Sequence, residues 1–229
     1  MKNKKNWDDF LLPNGATVGE LRKENLDWWM SEGAESERAI QRQEQYNQFV
    51  YIAKMMNKEF SWQTYENKQL KIGEVCGGPF GGMIEHKFAL EDKYQIDIYA
   101  DSFKELEWTS SPSENTTWIE APCEEIPLED NFLDVVFGFN SIDHGWDVFQ
   151  SIKEIIRVSK ECYISFDTDR YLLDGYPDRH HYQTIKLEDV QSFMQENYQD
   201  SHLYSDMSFM VRPISNPSLK VFYFWVKKK

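Results

Sequence analysis

The chain has 229 residues, 41% hydrophobic and 15% aromatic, with a formal net charge of −14. That is apolar material enough for one large domain with a core, so a globally disordered chain is excluded. The acidic balance disfavours a surface that neutralises phosphates or lies on an anionic bilayer, and neither a nucleic-acid nor a membrane partner is expected.

The short basic runs "MKNKKN" and "VKKK" sit at the two ends and read as solvated termini. Three widely spaced cysteines, Cys76, Cys123 and Cys162, make neither a disulfide framework nor a C-x-x-C zinc motif. There is no apolar h-region at the N-terminus and no apolar run of about 18 residues. These features lead to the expectation of a reducing, cytoplasmic location.

In chain order, Trp7 to Gly33 is polar with embedded aromatics at Phe10, Trp28 and Trp29. From about Ala34 to Phe60 the pattern is helical, with Phe49, Ala53, Met56 and Phe60 spaced four, three and four apart. "LKIGEV" then reads as a first strand, and "GMIEHKFAL" as a helix opening. "QIDIYAD" is a second strand closing on Asp101, and "TTWIEAP" a third. "FLDVVFGFN" is the fourth and most apolar, as a strand buried on both faces should be. A helix in "WDVFQSIKEIIRVS", a fifth strand in "CYISFDT", and a helix in "KLEDVQSFMQENY" follow. "SHLYSDMSFM" and "LKVFYFWVK" read as two closing strands without a helix between them. The alternation predicts an α/β, Rossmann-like three-layer sandwich. Its seven-stranded sheet is mostly parallel, with one antiparallel strand near the C-terminus. Residues 1–62 are expected to form an N-terminal helical cap on a domain spanning 63–229.

The window from Lys71 to Met83, "KIGEVCGGPFGGM", holds five of the 11 glycines in the chain. A glycine turn directly after a first strand is where backbone closes on a nucleotide in such sheets, although a tight turn without a ligand reads the same way. Three acids are placed at neighbouring strand ends: Glu74, Asp101, and Glu124 or Glu125. Read as G-x-G-x-x-G, positions 76, 78 and 81 are Cys, Gly and Gly. This weakens a nicotinamide-dependent oxidoreductase, while Asp101 still suits it. A carboxylate lining the approach favours a cationic or zwitterionic ligand.

The stretch "EEIPLEDNFLDVVFGFNSIDHGWDVFQSIKEIIRVSKECYISFD" resembles the class I S-adenosylmethionine-dependent methyltransferases. The matching residues are Glu124, Ile126, Pro127, Asp134, Val136, Asn140, Asp143, His144, Glu154, Arg157 and Val158. "EVCGGPFGGM" is similar to the family's first motif, with Glu74 as its acidic end. "YADSF" is similar to its second-strand end, with Asp101 as ribose ligand. Cys76 and Phe80 stand where the motif has glycine, and Pro122 with Cys123 replaces an acid near the adenine. The resemblance implies S-adenosylmethionine as cofactor, held by Glu74, Cys76, Gly78, Gly81, Asp101, Ser102, Cys123, Glu124 and Asn140.

Methyl transfer from a sulfonium needs alignment and water exclusion, and a base only when the acceptor arrives protonated. Candidates are His144 after the fourth strand, and His180 and His181 in the loop "DGYPDRHHYQT" after the fifth. Each also reads as an ordinary packing or exposed histidine. His180 and His181 by themselves cannot share a metal, since adjacent side chains of extended backbone point apart, and no metal is expected. Trp28, Trp29 and Tyr182 are candidate walls for the substrate. The expected activity is O- or N-methylation of a small-molecule acceptor by a monomer or homodimer. A non-catalytic binding or scaffold relative of the same fold is the alternative, supported by Cys76, Phe80 and Pro122.

Overall fold

The computed structural model describes residues 6–13, 15–29, 47, 50–66, 68–78, 88, 91–103, 116–139, 142–169, 181, 183–198 and 220–228, with backbone alone at 25, 26, 28, 29 and 220. Strands are β1 (Lys71–Val75), β2 (Asp92–Asp97), β3 (Thr116–Glu120), β4 (Leu133–Gly138), β5 (Ser159–Thr168) and β6 (Lys220–Lys227). Helices are α1 (Val18–Trp29), α2 (residues 50–56), the short α3 (Ala100–Phe103), α4 (Val148–Val158) and α5 (Leu187–Asn197).

Among the described residues six strands form one sheet, in the order β3-β2-β1-β4-β5-β6. All pairs are parallel except β5 with β6. The fold is therefore Rossmann-like α/β, with its antiparallel strand at the C-terminus as expected. Six strands stand against the seven anticipated, because the one read in "SHLYSDMSFM" lies outside the described residues. So do Phe49 and the helix opening after the glycine turn.

Period-two alternation sorts the strand side chains between two layers. On β6, Phe222, Phe224 and Val226 join Ile152, Ile155 and Ile156 of α4 and Val190 and Met194 of α5 in one core. Tyr223 and Trp225 face the other way, onto Ile52, Ala53 and Met56 of α2 with Phe60, Trp62 and Tyr65. Ala53, Met56 and Phe60, three members of the stripe read from the sequence, are thus buried on a sheet face. A polar knot pins this layer. Glu161 accepts from Tyr163 Oη (3.1 Å) and Trp225 Nε1 (2.9 Å), and Asn57 Nδ2 donates to Tyr163 Oη (2.9 Å).

The N-terminal residues behave differently. Thr17 and Glu20 form a capping box that starts α1, each side chain accepting from the other's backbone amide (2.8 and 3.2 Å). Trp7, Leu12, Val18 and Leu21 pack with Ile98, Tyr99 and Trp146, residues just beyond the carboxyl ends of β2 and β4. Residues before the sheet thus serve two ends: the first segment covers the carboxyl edge, and residues 50–65 cover a face.

Candidate active site

Parallel pairing brings the carboxyl ends of β1 to β5 to one edge. The chain leaves β1 in left-handed conformations at Cys76 (φ 53°) and Gly78 (φ 70°). The Cys76 amide donates to the Ile96 carbonyl at 2.8 Å, extending the ladder into the turn. Gly77 lies directly on side chains beneath it: a Cβ there would meet Gln95 Oε1 at 3.1 Å and Glu74 Cδ at 3.2 Å. Glu74 is buried as part of the turn's floor.

The acid at the end of β2 is Asp97, not Asp101. Asp101 is the second residue of α3, where its amide donates to Glu120 Oε2 at 3.3 Å. "QIDIYAD" contains two acids, and the strand stops at the first because Ile98 and Tyr99 turn the chain into α3. Asp97 is buried and accepts from the Tyr99 amide at 2.9 Å and from the Gly78 amide. Burial pushes its carboxyl up to about 6 against the pull of those two amides. Ser102 follows Asp101 in α3 and is half-buried.

After β3, Cys123 brings its Sγ to 3.1 Å from Cys76 Sγ, so two of the expected cofactor residues touch. That contact, with burial, raises the Cys76 thiol well above its usual range. Glu124 is engaged structurally: its Oε1 accepts from the Trp146 and Asp147 amides (2.7 and 3.1 Å). Burial raises its carboxyl, and a Cβ on Gly145 would come within 2.5 Å of Oε1. The turn is held from outside by α4. Arg157 donates to Glu154 (2.7 Å), to the Ile126 and Leu128 carbonyls (2.9 and 2.8 Å) and to Asp130 (2.9 Å).

Beyond β4, a 3-10 turn (Ile142–His144) presents Asp143 inward and His144 outward. His181 arrives from beyond β5 and is buried, with Nε2 at 3.3 Å from Asp143 Oδ2. Its ring lies 4.3 Å from that of His144, centroid to centroid, at 40°. Gln183 fastens the returning chain by donating to the Gly145 carbonyl (2.8 Å) and accepting from the Val148 amide (3.1 Å). Burial alone would raise the Asp143 carboxyl, but the imidazoles of His144 and His181 more than offset it and hold it low. Of the expected site residues, Gly81, Asn140, His180 and Tyr182 lie outside the described residues, and so do the side chains of Trp28 and Trp29 at the end of α1.

Residues 75–162, from the end of β1 into β5, match a family model described as a methyltransferase domain. That span is similar to a methyltransferase domain, in keeping with the resemblance read from the sequence. No curated protein sequence matches the chain. Among solved structures, the complex between the Haloferax volcanii Trm112 methyltransferase activator and its methyltransferase aligns over 82% of this chain and 81% of that one, with a TM-score of 0.56 at 10% identity. A Galdieria sulphuraria protein described as a sarcosine dimethylglycine methyltransferase aligns over 66% and 60%, with a TM-score of 0.51 at 19% identity. At such identities the likeness speaks for the fold.

The match to a methyltransferase domain implies S-adenosylmethionine as the cofactor. The residues present fit it. A half-buried glycine turn stands next to a buried acid, Asp97, whose carboxylate has acceptor capacity left after two amide bonds. Sequence reasoning missed Asp97. The available signal was the pair of acids in "QIDIYAD", with the earlier one in the apolar part of the strand.

Proposed function

We propose that the methyltransferase acts on an oxygen or nitrogen of a small-molecule acceptor, with Asp97 gripping the ribose in place of Asp101. The observation that carries this reading is one shared edge. The glycine turn and Asp97 stand at β1 and β2, while Asp143, His144 and His181 stand at β4 and β5. When bound, S-adenosylmethionine supplies a methyl group already activated on a sulfonium, so the chain's tasks are placement and proton management. The turn at Cys76 and Gly78, continuing to Gly81, would face the methionine end, with Glu74 beneath it. Cys123 and the backbone at Glu124 would border the adenine. Asn140, with Ser102 and Asp101 as flanking residues, completes the proposed cofactor shell.

On the acceptor side, exposed His144 next to His181 offers imidazole nitrogen to a hydroxyl or ammonium proton. His180 and Tyr182 in the same loop, and Trp28 and Trp29 at the end of α1, are the proposed substrate contacts. The net charge of −14 supports a small acceptor over a polyanion.

Calorimetric titration with S-adenosylmethionine tests the assignment. Asp97→Ala should weaken binding at least about tenfold, the scale of one lost charged hydrogen bond, while Asp101→Ala should leave it within about twofold. A reversal of the two would return the ribose role to Asp101. Absence of binding to wild type at millimolar cofactor, with NADH raising the melting temperature instead, would sink the reading. Cofactor binding without transfer to any hydroxyl or amine in an acceptor panel would favour a non-catalytic binding module.

A further inference from the structure

Asp143 is 2% exposed, and neither of its carboxylate oxygens accepts a well-formed hydrogen bond. Among the described residues no lysine or arginine pairs with it; the imidazole of His181 lies 3.3 Å away and that of His144 is the other charged neighbour. A buried carboxylate left in that condition is costly unless something cationic sits against it. Two imidazoles and one carboxylate converge here: one donor atom each from Asp143, His144 and His181, all within 4.8 Å of one another. The rings of His144 and His181 meet at a tilt of 40°, neither flat on one another nor edge to face.

We propose that Asp143, His144 and His181 bind a divalent first-row transition ion, zinc by the chemistry of the donor set. Two histidines and one carboxylate with free coordination positions is the composition of ion sites that also take a substrate oxygen. A hard, oxygen-preferring ion such as magnesium or calcium would not choose two imidazoles. The ligands are on pinned backbone. His181 is tied two residues on by Gln183 to Gly145 and Val148, and the turn carrying Asp143 and His144 is tied by Glu124 to Trp146 and Asp147. Small rotamer changes bring donors at this spread onto bonds of about 2.0–2.2 Å. Exposed His144 marks the open side, which faces the acceptor edge. The ion's role there, lowering the pKa of an acceptor hydroxyl, rests on the methyltransferase reading; its binding does not.

The test is a titration of chelator-treated full-length protein with cobalt chloride, followed by visible d–d absorption, and then displacement by zinc chloride. One cobalt per chain, displaced by zinc, is expected. His181→Ala should abolish the band, and His144→Ala should weaken cobalt binding at least about tenfold. His144 is exposed, so its variant keeps the fold, which the far-UV spectrum and an unchanged S-adenosylmethionine affinity would verify. No cobalt band in wild type, or equal binding in His144→Ala, overturns the proposal. If cobalt fails to bind while His144→Ala still loses methyl transfer, the histidine acts by itself and the methyltransferase reading stands. If cobalt binds and S-adenosylmethionine does not, the ion site stands and that reading falls.

Discussion

Asp97 shows how much one residue's surroundings decide. Its folded carboxyl is raised to about 6, well above the usual aspartate range, because burial outweighs the amides of Tyr99 and Gly78. A raised pKa means that the folded state holds a proton that the unfolded chain has already released. The contribution is complete below about pH 4 and is lost as pH rises through about 6, a change of roughly 3 kcal/mol. Asp97→Asn keeps a side-chain oxygen for the two amides and removes the titration. The stability of the variant relative to wild type should therefore climb by about that amount between pH 4 and 7, and stay level above. Urea melts at several pH values read this directly. A difference that is flat across that range would mean Asp97 is not buried as described.

At the scale of elements, α4 organises the edge. Its N-terminus is capped by Asp147, whose side chain accepts from the Gln150 amide at 3.0 Å. Its last turn sends Arg157 across to the 126–130 turn, where the guanidinium meets two carbonyls and the Asp130 carboxylate, with Glu154 of α4 itself as a second carboxylate. A planar fork can satisfy that set and an ammonium cannot. Arg157→Lys should cost about 2 kcal/mol in a denaturant melt, from the loss of two or three charged hydrogen bonds. It should also loosen the turn that carries Cys123 and Glu124, measurable as faster amide exchange at residues 123–128. A loss of stability without faster exchange there would separate Arg157 from the site. The register is set from the other end of the sheet, where Asp134 of β4 accepts from the Lys71 amide (2.8 Å) and Lys160 Nζ (2.6 Å). The tight helical period of α4 and the "E-I-x-R-V" run were legible in the sequence because helix faces repeat locally. Glu154, one turn back on α4, is a local partner, but the Ile126 and Leu128 carbonyls and Asp130 were not legible, since they lie on another segment.

For the molecule as a whole, the N-terminal segment closes over the edge that the sheet leaves open. Trp146 stacks on Phe10 at 4.6 Å and meets Trp7 at 6.2 Å, and Arg22 pairs with Glu120 at the end of β3 (3.3 Å). Trp146→Ala should release residues 6–24, lowering stability by about 2–3 kcal/mol and exposing that segment to limited proteolysis. Unchanged cleavage would show that the segment is held elsewhere.

The sequence by itself determined the architecture: alternating strands and helices, a mostly parallel sheet, a glycine turn after β1, and a family resemblance that the matched span of residues 75–162 bears out. Those features are written in periods of two and 3.6 and in glycine placement, which need only neighbouring residues. The tertiary structure decided which acid stands at the end of β2, since stopping that strand at Asp97 puts Asp101 in the following helix. It also decided that His181 stands with Asp143 and His144. Side chains adjacent in an extended chain diverge, whereas parallel strands deliver distant loops to one edge, and nothing local in the sequence records which loops will meet there.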